Sequence, residues 1–116
     1  MSGICAVWRK GDTGQTALTL ASVTGALSVG VREETDTELD GDVGLGVCAR
    51  WTTQQLYRDA QVLVACDADL CEEEELWEHC AGGRSIVIAA NQTAALIARL
   101  YDRWGCDCVE KLRGSF

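Results

Sequence analysis

The hydrophobic pattern opens with a short apolar run, Gly3-Ile4-Cys5-Ala6-Val7-Trp8, halted by Arg9, Lys10 and Gly11. Such a run predicts a buried strand over 3–8. From Gln15 to Val29, Ala17, Leu20, Ala21, Thr24 and Leu27 recur at helical spacing. This predicts a helix over 15–29 with Asp12 or Thr13 as its cap and Gly30 as its stop. Residues 32–42 are mostly acidic and polar and read as a solvated loop. Val43 to Ala49 returns to apolar residues interrupted by glycines, a strand to which another element approaches closely.

The second half alternates strand and helix signals more cleanly. Gln61 to Cys66 predicts an apolar strand, after which Asp67 begins an acidic stretch. Glu72 to Glu75 open a helix through Leu76, Trp77 and Cys80, since carboxylates favour the positive end of a helix. Gly82-Gly83 ends it, and Ser85 to Ala89 predicts a short strand. Leu96, Ile97, Leu100, Tyr101 and Trp104 then mark one face of a helix over 92–104, closed by Gly105. That stripe is a core face, and no repeat or low-complexity linker interrupts the chain.

Composition narrows the class of protein. With 116 residues, 47% hydrophobic and 24% charged, the chain fits one globular domain. No apolar run approaches the ~18 residues of a membrane span, and the first residues lack the layout of a signal peptide. The expectation is a cytoplasmic protein that engages no membrane. A formal charge of −8 disfavours nucleic acid as a partner. Seven cysteines without an export signal read as reduced thiols, mostly buried. A zinc site needs closely spaced ligand pairs, yet no Cys-x-x-Cys occurs and His79 is the one histidine. His79 suits the end of its helix, and the Glu72–Glu75 run suits a solvated first turn better than a metal. The expectation is therefore no metal and no cofactor.

Three stretches in order carry a family resemblance. They are Met1-Ser2-Gly3-Ile4-Cys5-Ala6-Val7, then Val62 through Leu70 with Glu75-Leu76, and last Leu100 through Phe116. The last resembles Tyr-x-x-Trp-Gly-x-x-Cys-x-x-x-Leu-x-Gly-x-Phe almost position for position. Together they resemble the N-terminal glutaminase domain of asparagine synthetases, the class II glutamine amidotransferases. The resemblance implies an α+β fold of the N-terminal-nucleophile hydrolase type. This is an αββα sandwich of two facing, mainly antiparallel sheets with helices outside. It also implies a longer domain than this chain. On that reading Gly114-Ser115-Phe116 begins a further strand, the domain is truncated, and an open sheet edge invites a second copy.

In such enzymes a cysteine at position 2 attacks the glutamine amide, with its own α-amine as base, once the initiator Met is removed. The ammonia passes to a downstream synthetase domain, the partner the resemblance implies. Here Ser2 stands at the nucleophile position, and retention of Met1 would block its α-amine. Cys5 cannot substitute, because its amine lies within a peptide bond. Asp67-Ala68 replaces the Asn-Gly of the oxyanion hole, and an ionised Asp67 repels an oxyanion and donates nothing to it. Asp69 replaces a substrate-binding glutamate. The aspartate expected to hold the substrate ammonium falls near Thr93, and neither Asn91, Gln92 nor Thr93 is charged. The carboxylate-binding arginine falls at Ala49 or Arg50. The Arg-Gly-Pro-Asp motif expected before it is absent, and Arg32-Glu33-Glu34 substitutes for it poorly.

Nucleophile, oxyanion hole and substrate clamp therefore all depart together. The leading expectation is a degenerate glutaminase-like domain, a structural or interaction module of an asparagine-synthetase-like protein. The runner-up is a live glutamine-hydrolysing domain with Ser2 as nucleophile and Arg50 as clamp. A cysteine-rich metal module is the third.

Overall fold

A computed structural model describes residues 2–30, 32–81 and 92–116. It is an α+β fold of short antiparallel pairings and three α-helices. Strands β1 (Gly3–Trp8), β2 (Glu34–Asp40) and β3 (Val43–Ala49) form one sheet in the order β1-β3-β2. Strands β4 (Gln54–Arg58) and β5 (Leu63–Asp67) form a hairpin. The two-residue strands β6 (Asp69–Leu70) and β7 (Gly114–Ser115) pair with each other.

Helix α1 (Thr13–Leu27) packs on the three-stranded sheet. Asp12 caps it, its Oδ1 accepting the Gln15 N–H at 2.9 Å. The helix ends at Leu27 with Ser28 as its cap, so Gly30 lies beyond it and is not the stop. Its buried stripe is Thr16, Leu20 and Thr24, whereas Ala21 is exposed. Thr16 and Thr24 are tolerated there because each hydroxyl bonds a carbonyl four residues earlier, that of Asp12 and that of Leu20. Opposite them, β3 presents Gly44 and Gly46. A Cβ on Gly46 would lie 2.5 Å from Thr24 Oγ1 and 2.9 Å from Cys5 Sγ. The helix rests against bare backbone, the close approach that the glycines of this strand predict.

The 32–42 stretch corrects the loop expectation, since Glu34–Asp40 pairs residue for residue with Ala49–Val43. Alternation explains it. Leu39 faces α1 across Gly44, while Glu38 on the other face reaches Arg58 at 3.0 Å. An edge strand tolerates such charge and is protected by it. Strand β4 has no counterpart among the expected elements. Its alternation explains its place: Arg58 reaches the first sheet and Gln55 reaches α3, where its Oε1 accepts the Ala94 N–H at 2.9 Å. Strand β5 begins at Leu63, not Gln61, because Gln61 and Val62 donate their N–H groups to Asp59 Oδ1 in the turn.

Helix α2 (Glu73–Ala81) starts one residue after Glu72, which takes a positive φ of 59°. Glu73, Glu74 and Glu75 fill its first turn and His79 its last. The Ser85–Ala89 strand and the Gly82-Gly83 stop lie outside the described residues. Helix α3 (Gln92–Trp104) has the expected bounds. Leu96 and Leu100 are fully buried, but Tyr101, expected on the same face, is half exposed. The chain then continues through a 3-10 helix, Gly105–Lys111, in place of a simple stop.

Helix α3 packs on β4 and β5, and α2 packs on α3. Among the described residues a buried hydrophobic cluster joins Cys66, Ala68, Leu70, Ala94, Leu96, Leu100, Cys108 and Leu112. The layers thus run α1, three-stranded sheet, hairpin, α3. All seven cysteines are free, and Cys48, Cys66 and Cys108 are buried. Among the described residues no helix is long and apolar enough to cross a membrane.

Candidate functional site

The residues singled out by the sequence gather mainly where β3 leads into β4 and where β5 ends. Asp67 is the last residue of β5 and lies opposite Gln54. Its Oδ1 accepts the Thr53 hydroxyl at 2.9 Å, and its Oδ2 accepts the Gln54 side-chain N–H at 3.0 Å. The Gln54 Oε1 in turn accepts the backbone N–H groups of Arg50 (2.8 Å) and Trp51 (3.2 Å). One buried amide therefore joins the Arg50 segment to the Asp67 carboxylate. Gln54 was not among the expected residues. No local signal marks it, because β4 has no counterpart among the expected elements and its Asp67 partner lies 13 residues away.

Ala68 is 2% exposed, and its N–H donates to the Thr53 carbonyl at 3.0 Å. Neither position that the resemblance assigns to an oxyanion hole offers a free donor there. Asp67 carries oxygens that accept, and the Ala68 N–H is already engaged. A developing oxyanion needs donors aimed at empty space, each worth about 2.7–4 kcal/mol. This corner instead presents acceptors.

Asp69 lies on β6 opposite Ser115. With Thr53, Asp67, Ser115 and Phe116 it lines a shallow concavity of about 480 Å³. At Gly114, φ is 136° and the Asp69 carbonyl lies where a Cβ would sit, so glycine alone permits this pairing. Ser2, Arg50 and Thr93 do not line the concavity. Ser2 is half-buried just before β1. The Arg50 guanidinium lies 5.3 Å from the centroid of the Trp51 ring. Thr93 is nearly buried, and its hydroxyl donates to Glu73 Oε1 at 2.7 Å, tying α3 to the start of α2. It therefore acts as a helix tie where the resemblance implies a substrate contact.

The buried thiols near this corner are not activated. Burial pushes the Cys66 thiol up to about 11, and the adjacent Asp67 and Glu73 carboxylates add to that. Cys48 lies opposite Gly3, and burial followed by the Glu33 carboxylate raises its thiol as well. Both stay protonated near neutral pH, and the thiolate is the reactive form. His79 is on α2 with Nδ1 2.6 Å from the Glu75 carbonyl. Among the described residues no three His, Cys, Asp or Glu side chains are grouped to hold a metal ion.

Comparison of the chain with protein-family models, with curated proteins and with solved structures returned no match.

Proposed function

We propose that the chain is a glutamine amidotransferase-like domain of an asparagine-synthetase-like protein that does not hydrolyse glutamine and serves as a structural or interaction module. The observation that carries this reading is the double loss at the oxyanion corner. Asp67 is bound by Thr53 and Gln54, and the Ala68 N–H is bound by the Thr53 carbonyl. Losing one such donor costs roughly 10²–10³ in rate. The order of layers, helix, sheet, hairpin and helix, supports the sandwich that the resemblance implies.

An interaction role has its own support. Ile4 and Trp8 are 46% and 67% exposed on one face of edge strand β1, with Ala6 exposed between them. A row of apolar side chains on an open strand marks a surface for another domain, and the downstream synthetase domain is the partner in this reading.

The test is a glutaminase assay on protein whose N-terminus is verified by intact mass. No glutamate release above background is expected. Release that Ser2→Ala abolishes would overturn the proposal in favour of Ser2 as an N-terminal nucleophile.

A further inference from the structure

At the far end of the β4–β5 hairpin from Asp67, the turn at 59–62 and the outer side of α3 line an open cleft of about 520 Å³. Arg99, Asp102 and Asp59 contribute its charges. It adjoins a second cavity of about 460 Å³, with which it shares Gln61, Val62 and Tyr101. The second is lined by Leu45, Leu63, Val64 and Ile97, among others. The result is one cleft with a charged mouth and an apolar end. Each part has the size of a small-molecule site, and the mixture of apolar walls with a few charged groups is typical of one.

The charges at the mouth are of both signs and form no close ion pair with each other, although the Gln61 and Val62 N–H groups and then the Arg99 charge hold the Asp59 carboxyl below its ordinary range. Among the described residues the ion pairs are those of Arg58 with Glu38 and Asp40, so Arg99 lies beyond ion-pair distance of Asp59 and Asp102. Asp59 Oδ1 accepts the Gln61 and Val62 N–H groups, which fixes that carboxylate at the rim. A ligand carrying only a carboxylate would meet two carboxylates beside one guanidinium. A ligand carrying only an ammonium would leave Arg99 unmatched. A head group with both charges matches both, and the apolar end accepts a hydrocarbon side chain.

We infer that this cleft binds a free zwitterionic α-amino acid with an apolar side chain, its carboxylate on Arg99, its ammonium on Asp102 and its side chain toward Leu45 and Ile97. The site is independent of the glutaminase-like corner and does not rest on the reading given above.

The experiment is calorimetric titration of the full chain with L-leucine, followed in parallel by amide NMR. Saturable binding with shifts at Gln61, Val62 and Ile97 is expected. Isocaproate, which lacks the amine, and isopentylamine, which lacks the carboxylate, each bind at least about tenfold more weakly, because each forfeits one charged hydrogen bond. Arg99→Gln weakens leucine by about tenfold and leaves isopentylamine unchanged. Asp102→Asn weakens leucine similarly and leaves isocaproate unchanged. Both residues are exposed on α3, so the variants are expected to fold. The inference is overturned by absence of saturable binding, by analogues that bind the native chain as tightly as leucine, or by folded variants with unaltered leucine affinity.

Discussion

The side-chain amide of Gln54 donates to Asp67 Oδ2 at 3.0 Å across the β4–β5 ladder while its oxygen accepts two backbone N–H groups from the preceding turn. At 6% exposure this amide is nearly dry. Gln54→Leu keeps much of the volume but leaves the Arg50 and Trp51 N–H groups without that partner. Destabilisation of about 2 kcal/mol is expected, within the range for unsatisfied buried donors. Urea denaturation would show it as a lower midpoint at unchanged slope.

Glycine substitutions should separate the two sides of α1. Gly46→Ala forces a methyl into Thr24 and Cys5 and should cost about 1–3 kcal/mol through overpacking. Gly25→Ala, inside the helix with nothing within 4 Å of the added carbon, should stabilise by about 0.4–1 kcal/mol. Opposite shifts in denaturation midpoint are the expected readout, and equal shifts would contradict the packing.

Thiol reactivity should follow burial. Cys71 and Cys106 are exposed and should be alkylated first in the native protein. Cys66, with its thiol near 11, carries about one thiolate per thousand molecules at pH 8 and is screened from reagent besides. Mass mapping after timed iodoacetamide treatment should find Cys66, Cys48 and Cys108 modified only once denaturant is added.

Two turn carboxylates predict acid sensitivity. The Gly11 N–H holds the Asp42 carboxyl below its ordinary range, and the Gln61 and then Val62 N–H groups do the same for Asp59. A lowered folded value means the unfolded chain binds the proton more tightly. The stabilisation is therefore full above the unfolded value of about 3.9 and is lost as pH falls through the folded values. Melting temperature should drop between about pH 4 and the lower folded values. Asp59→Asn should reduce that drop.

Helices were legible because their signals are local. Asp12 caps α1 three residues before its hydrogen-bond partner, and the Leu96–Leu100 spacing defines the buried face of α3. Strand β2 is obscured because the carboxylates on its hairpin-side face outweigh the Thr35, Thr37, Leu39 alternation on the face toward α1. Strand β4 is not legible because Gln54 and Gln55 read as polar, although Gln54 bonds Asp67 across the hairpin and Gln55 bonds Ala94 on α3.

The candidate site divides in the same way. The sequence by itself determined which chemical groups stand at the resemblance positions, including the absence of an amide at Asp67 and of a carboxylate at Thr93. Only tertiary structure decided what those groups do. The Thr53 carbonyl meets the Ala68 N–H, Gln54 meets Asp67, and Thr93 meets Glu73 across gaps of 13 to 20 residues that no local pattern spans. Hydrogen-bonding capacity is a property of the residue, but whether a donor is free or engaged depends on which distant strand folds beside it.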